Sequence, residues 1–173
     1  MIVVDADSVV STNIVSAVVA HLARPGHWGA VQVFYGVRNP LASWRTQLMT
    51  IALAIFHRLR GRARARLGVS TKLNGNGMGF AVAALRAVPY QAFSIAEDLE
   101  YGIALVRAGI GIAYADEASI SAEMVSQADR AVSQRDRWDG GRATLRRTYA
   151  VRLVKEAVRA RTLERFDLAM EVL

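Results

Sequence analysis

Acidic side chains stand at two places in this chain where their type and spacing could hold a cation or move a proton. Asp5-Ala6-Asp7 follows the apolar run Ile2-Val3-Val4, and Glu97-Asp98 opens a segment of helical character. Two carboxylates at the end of a strand offer oxygen ligands to a hard divalent cation. On an extended backbone they point to opposite sides, so one would face a metal and the other a sugar or a backbone partner, unless the chain turns between them. A carboxylate in the first turn of a helix lies at the positive end of the dipole, which favours its ionised form. At the rim of a pocket such a group can act as a general base. Each pattern alone is equally an ordinary solvated strand end or an ordinary helix cap.

Two further stretches carry possible ligand contacts. Leu73-Asn74-Gly75-Asn76-Gly77-Met78-Gly79-Phe80 is rich in glycine, which permits left-handed turns and close approach of a ligand to the backbone. No Gly-Lys-Ser/Thr follows, so it is not a P-loop, and the acidic ribose-binding pattern of a dinucleotide site is missing as well. Its Asn-Gly pairs also suit a plain hairpin turn. In Ser133-Gln134-Arg135-Asp136-Arg137-Trp138 the spacing puts Gln134, Arg137 and Trp138 within one helical turn. Arg137 could hold a phosphate bidentately. Trp138 offers a flat apolar face of the kind sugar rings pack on, or a simple core contact.

The elements that must position these groups follow from periodicity. Ile2-Val3-Val4 reads as a buried strand, 13–23 as a short amphipathic helix and Val31-Gln32-Val33-Phe34-Tyr35 as an alternating strand. A helix over about 41–60 carries Trp44, Leu48, Ile51, Ile55, Phe56 and Leu59 on one stripe and ends among Arg58, Arg60, Arg62, Arg64 and Arg66. That combination fits an interfacial membrane helix whose arginines meet headgroup phosphates, or equally a core helix followed by a solvated basic loop. A short helix is expected over 81–88. Ser94 and Glu97 form a capping-box pattern, after which Leu99, Ile103 and Val106 recur at helical spacing up to Gly109. Short strands are expected at 111–115 and 118–122, then a helix from about Gln127 and a basic helical tail over 142–173.

Composition narrows the classes. The 173 residues carry a net charge of +7, which suits anionic partners, and 53% are apolar, which fits a domain resting against something greasy. No apolar run approaches the roughly 18 residues of a membrane span, and no signal-peptide pattern is present. Cysteine is absent, which excludes disulfides and thiolate metal sites, and the three histidines lack the paired spacing of a zinc site. The arginines are not interleaved with stacking aromatics, so no nucleic-acid partner is expected.

Taken in order, Asp5-Ala6-Asp7, Asn74-Gly75-Asn76-Gly77-Met78, Glu97-Asp98 and Gln134-x-x-Arg137-Trp138 resemble the family 2 glycosyltransferases. The likeness is to the processive, membrane-associated branch of cellulose, chitin and hyaluronan synthases, and it runs from Val3 to about Arg142. It implies an α/β fold of the GT-A type, a mixed sheet with flanking helices. It further implies inverting, metal-dependent transfer of a sugar from a nucleotide diphosphate sugar, of the UDP-sugar kind, to a glycan or lipid acceptor. On this resemblance Asp7, with Asp5 beside it, holds Mg²⁺ or Mn²⁺ and the sugar diphosphate. Asp98 is the general base, next to Glu97. Gln134 and Arg137 lie near the diphosphate, Trp138 lies under the acceptor sugar, and Asn76 and Gly77 border the acceptor pocket. Residues 1–141 would be the C-terminal part of a catalytic domain at the cytoplasmic face of the cell membrane. Residues 142–173 would lead toward a transmembrane region, and the family's N-terminal nucleotide-binding half would be missing. The alternative is a non-catalytic remnant of the same fold that binds anionic membrane or a partner subunit.

Overall fold

A computed structural model describes residues 1–91, 96–125 and 128–172, with side chains except at 128–139 and 142. Its centre is a pair of parallel strands, β3 (Trp28–Val37) and β5 (Gly111–Ala122), rich in the Val, Ile and aromatic residues that suit a pleated, buried surface. Three short strands complete a five-stranded mixed sheet in the order β1-β4-β3-β5-β2: β1 (Ile2–Val3), β2 (Val9–Val10) and β4 (Met78–Phe80). β4 runs antiparallel to β3, and β1 antiparallel to β4, with Ile2 opposite Gly79 and Val3 opposite Met78. Strand alternation divides the core. Val31, Val33, Ala113 and Ala115 face helix α1 (Ile14–Leu22), while Ala30 and Ile112 face the opposite side. That side is covered by α4 (Val82–Ala87), α5 (Glu97–Arg107), α6 (Ala128–Ala160) and α7 (Leu163–Val172).

Several expectations need correction. The first strand is not buried: it is two residues long and half-buried at the sheet edge, with Val4 exposed, and β4 supplies its partner. Residues 111–115 and 118–122 form one strand. Its register against β3 jumps between Ala115 and Ser119, and the resulting bulge carries Asp116 and Glu117. Bulges re-aim side chains, and here Asp116 meets Arg58 and Arg62, while Glu117 meets the buried His21 at 2.8 Å. The capping box expected between Ser94 and Glu97 cannot be followed at α5, where the described chain resumes at Ala96. The N-cap of α5 is Ala96, which gives no side-chain bond, and the first turn holds Glu97, Asp98 and Glu100; Ser94 lies outside the described residues. α6 runs through Gly140 and Gly141 and crosses position 141 without a break.

The arginine-rich helix is longer than expected and oriented differently. α2 (Trp44–Leu53) starts at a capping box between Ser43 and Thr46. It passes through a π-helical turn (Ala54–Leu59) into α3 (Arg60–Leu67) and stops at Gly68, whose φ of +68° suits a left-handed cap. Its apolar stripe is open: Trp44, Leu48, Ile51 and Leu59 are all exposed. Its arginines turn inward. Arg58 and Arg62 bind Asp116, Arg60 binds Glu171, and Arg64 binds Asp167 at 2.7 Å and Glu171 at 2.6 Å. The bulge and α7 thus supply the counter-charges, in place of either headgroup phosphates or the solvent around a basic loop. Among the described residues no helix is long and apolar enough to cross a membrane.

Arg64 is 8% exposed and tied to two acids. Removing one partner from a buried ion cluster strands the others. Arg64→Met should lower the unfolding free energy by about 3–5 kcal/mol, read from urea denaturation; a loss well below that range would show the cluster to be solvated.

Candidate active site

The acidic motif near the N-terminus sits on a turn, not on an extended strand. The Ser8 N–H donates to the Asp5 carbonyl at 3.1 Å, which reverses the chain between β1 and β2, and the charge of Asp7 acts on Asp5. Asn76 of the glycine loop holds that turn at both ends. Its Oδ1 accepts the Asp5 backbone N–H (3.2 Å) and its Nδ2 donates to Ser8 Oγ (2.7 Å). Asn76 is 1% exposed, so these bonds form away from competing water.

The loop is held in turn by Gln32 in the middle of β3. Gln32 Nε2 donates to the carbonyls of Asn76 (2.8 Å) and Val33 (2.9 Å), and its Oε1 accepts the Asn74 N–H (2.9 Å). Gln32 is fully buried. Gly75 and Gly77 have φ of +76° and +69°, a backbone region that favours glycine. Gly77 also has no room for a side chain, because a Cβ there would stand 2.6 Å from a Val33 methyl and 2.7 Å from an Ile120 methyl. Gly75 lies against the candidate base: a Cβ on it would be 3.5 Å from Asp98 Oδ2.

Asp98 is half-buried in the first turn of α5. Burial pushes its carboxyl above the usual carboxylate range and the nearby Glu97 adds to the rise, while the Leu99 N–H and the charge of Lys72 oppose it. Asp5 is raised as well, first by desolvation and then by Asp7 and Glu97. Glu97 therefore acts on both acidic groups, and the turn, the glycine loop and the start of α5 form one site. Tyr35, near the end of β3, joins it: desolvation raises its phenol most, the neighbouring Asn76 side chain opposes this, and Asp5 and Asp7 raise it further. From the other side Tyr90 leans on Tyr101, with ring centroids 4.6 Å apart, and feels Glu97 and Asp98.

The structure thus brings together Asp5, Asp7, Asn76, Gly77, Glu97 and Asp98. Gln134, Arg137 and Trp138 lie along α6, and their side chains are outside the described residues. Sequence reasoning missed Gln32, Ser8 and Tyr35. Gln32 carried a signal, since it is the one amide in an otherwise apolar strand.

A divalent ion suits the acidic turn. Among the described residues none of the ion pairs involves Asp5 or Asp7, so their mutual repulsion is left for a cation to offset. Among the same residues no group of three or more His, Cys, Asp or Glu side chains is gathered for a metal. An ion on this turn would complete its shell with water or other oxygen donors, as hard cations such as Mg²⁺ commonly do.

The mixed sheet thus collects these carboxylates beside a glycine loop at one end. The chain matches the model of the glycosyl transferase family group 2 over residues 1–166 and belongs to that family, a transferase family to which the GT-A fold is general. No curated protein matches the chain.

Two outcomes follow. Asn76→Leu removes the clasp and strands the Asp5 N–H and the Ser8 hydroxyl; it should cost about 1–3 kcal/mol of stability in urea denaturation. Asp98→Asn should do the opposite at neutral pH. A carboxyl raised in the folded state gives stability that is fully present below its unfolded value and lost as pH rises through its folded value. The Asn variant should therefore melt above the parent at pH 7, with the gap closing below about pH 3.9, the unfolded value. A variant that melts lower at pH 7 would show that the ionised form is stabilised in place.

Proposed function

We propose that the chain is the catalytic part of an inverting glycosyltransferase. It would take a sugar from a nucleotide diphosphate donor, of the UDP-sugar class, to a glycan or lipid acceptor. The observation that carries this reading is Asp98: a carboxylate raised by burial, facing the open backbone of Gly75, beside an acidic turn held by Asn76. The Asp98 carboxylate takes the proton of the acceptor hydroxyl as that oxygen attacks the anomeric carbon. The bond from that carbon to the diphosphate oxygen breaks on the opposite face, and the nucleoside diphosphate departs. A raised basicity helps the proton transfer, since a base is more effective as its pKa approaches the working pH.

Asp7 and Asp5 would hold Mg²⁺ or Mn²⁺, which when bound offsets the charge of the departing diphosphate. Gln134 and Arg137 would meet the diphosphate, and Trp138 the acceptor sugar. Asn76 and Gly77 border the acceptor side, where Asn76 acts by positioning the turn. Residues 1–141 supply the catalytic part and 142–173 a basic helical tail, with α6 bridging the two. The open stripe on α2 supports a place at a membrane surface, on the cytoplasmic face, and fits the processive branch of the family.

The test is transfer of labelled sugar from a UDP-sugar. Asp98→Asn should lower kcat by about 10²–10⁴ with donor KM little changed, while Asp7→Ala should abolish the dependence on added Mn²⁺. Full activity in Asp98→Asn, or unaltered metal dependence in Asp7→Ala, would sink the respective role. The acidic limb of the parent's pH–rate profile should lie above that of an ordinary aspartate, following the raised carboxyl.

A further inference from the structure

α6 and α7 each turn one face to the core, through Leu153, Ala157, Leu168, Ala169 and Val172, and leave the other to solvent. On the outer side of α6 stand Val151, Val154 and Val158, and on that of α7 Leu163, Phe166 and Met170, all exposed and Val158 by as much as 70%. In both helices the three recur at i, i+3 and i+7, so each set is a row along one face. Arg147, Lys155, Arg159 and Arg161 are exposed beside the rows.

The acids of this segment do the reverse. Residues 143–172 contain Glu156, Glu164, Asp167 and Glu171, and each is engaged toward the body of the protein. Glu156 binds Arg107 (2.8 Å), Glu164 accepts from Ser70 (2.8 Å), and Asp167 and Glu171 bind Arg64. Over residues 143–172 the outer face is left apolar and cationic, with no carboxylate of its own. The stripe on α2 differs, since Arg58, Arg60, Arg62 and Arg64 at its end are bound to acids of the protein.

We infer that the outer face of α6 and α7 docks on an anionic lipid bilayer, its apolar rows among the upper acyl chains and its cations at the headgroup phosphates. A second copy of the chain is a poor occupant, because a two-fold contact would set these cations against one another. Nucleic acid would meet the cations and leave the six apolar side chains without a dry contact. The inference rests on the membrane-surface part of the proposal above and is independent of the transfer chemistry.

The test is co-sedimentation of the full chain with vesicles of phosphatidylcholine alone and of phosphatidylcholine mixed with phosphatidylglycerol. Partitioning should be about tenfold stronger on the anionic vesicles and should weaken as salt screens the cations. Lys155→Gln with Arg159→Gln should remove most of that preference, and Phe166→Gln with Met170→Gln should weaken partitioning by about tenfold. All four residues are exposed, so a circular-dichroism melt should match the parent's. Leu48→Gln with Ile51→Gln on α2 should leave the preference for anionic lipid in place. Binding that is lost with the α2 pair and kept with the α6–α7 variants would overturn the inference and leave the membrane reading standing. Absence of binding to either vesicle would overturn both. Equal binding to the two vesicles, or a dimer in light scattering that the Phe166 and Met170 changes dissolve, would also overturn it.

Discussion

The site depends on two buried amides. Gln32 ties the glycine loop to the central strand, and Asn76 ties the acidic turn to the glycine loop. A buried hydrogen bond adds only about 1 kcal/mol net, but a buried polar group left without a partner costs about 1–3 kcal/mol. Register errors are penalised accordingly: a loop shifted by one residue would strand several donors and acceptors of Gln32 and Asn76 at once. The acids of the candidate site themselves contribute little to this order. They are carried on a frame whose own polar groups are satisfied internally.

The frame leaves charge repulsion at its mouth. Asp5, Asp7, Glu97 and Asp98 are gathered close enough to act on one another, and burial raises Asp98 further. Such crowding opposes folding and favours a cationic or proton-donating ligand. The glycines serve the same end, since Gly75 puts bare backbone beside Asp98 where any side chain would narrow the approach. Stability is lost at the place where the chemistry is proposed to occur, and is recovered in the two apolar layers on either side of the sheet.

A second frame is electrostatic. The bulge in β5 aims Asp116 at Arg58 and Arg62, and α7 presents Asp167 and Glu171 to Arg64. These pairs clamp the long α2–α3 helix against the sheet and free its apolar stripe. They also draw Asp167 and Glu171 inward, as Arg107 draws Glu156 and Ser70 draws Glu164, which leaves the outer surface over residues 143–172 cationic.

Local pattern determined much of this. The middle of β3, α1, the apolar stripe on α2, the short α4 and the body of α5 follow from hydrophobic period and glycine stops, whereas the joining of 111–115 and 118–122 into one long strand does not. The four motifs in order pointed to the family that the match over residues 1–166 shows. The directions of charged groups were decided by the tertiary structure. Sequence spacing placed five arginines at one helix end, but the acids that bind Arg58, Arg60, Arg62 and Arg64 come from a bulge and a helix more than 50 residues away. Nor could spacing show that residues 5–8 turn, since the partner that holds them is the buried Asn76. Periodicity records which face of an element leaves water. Which polar groups meet there depends on desolvation and long-range hydrogen bonding, and those exist only once distant segments have packed.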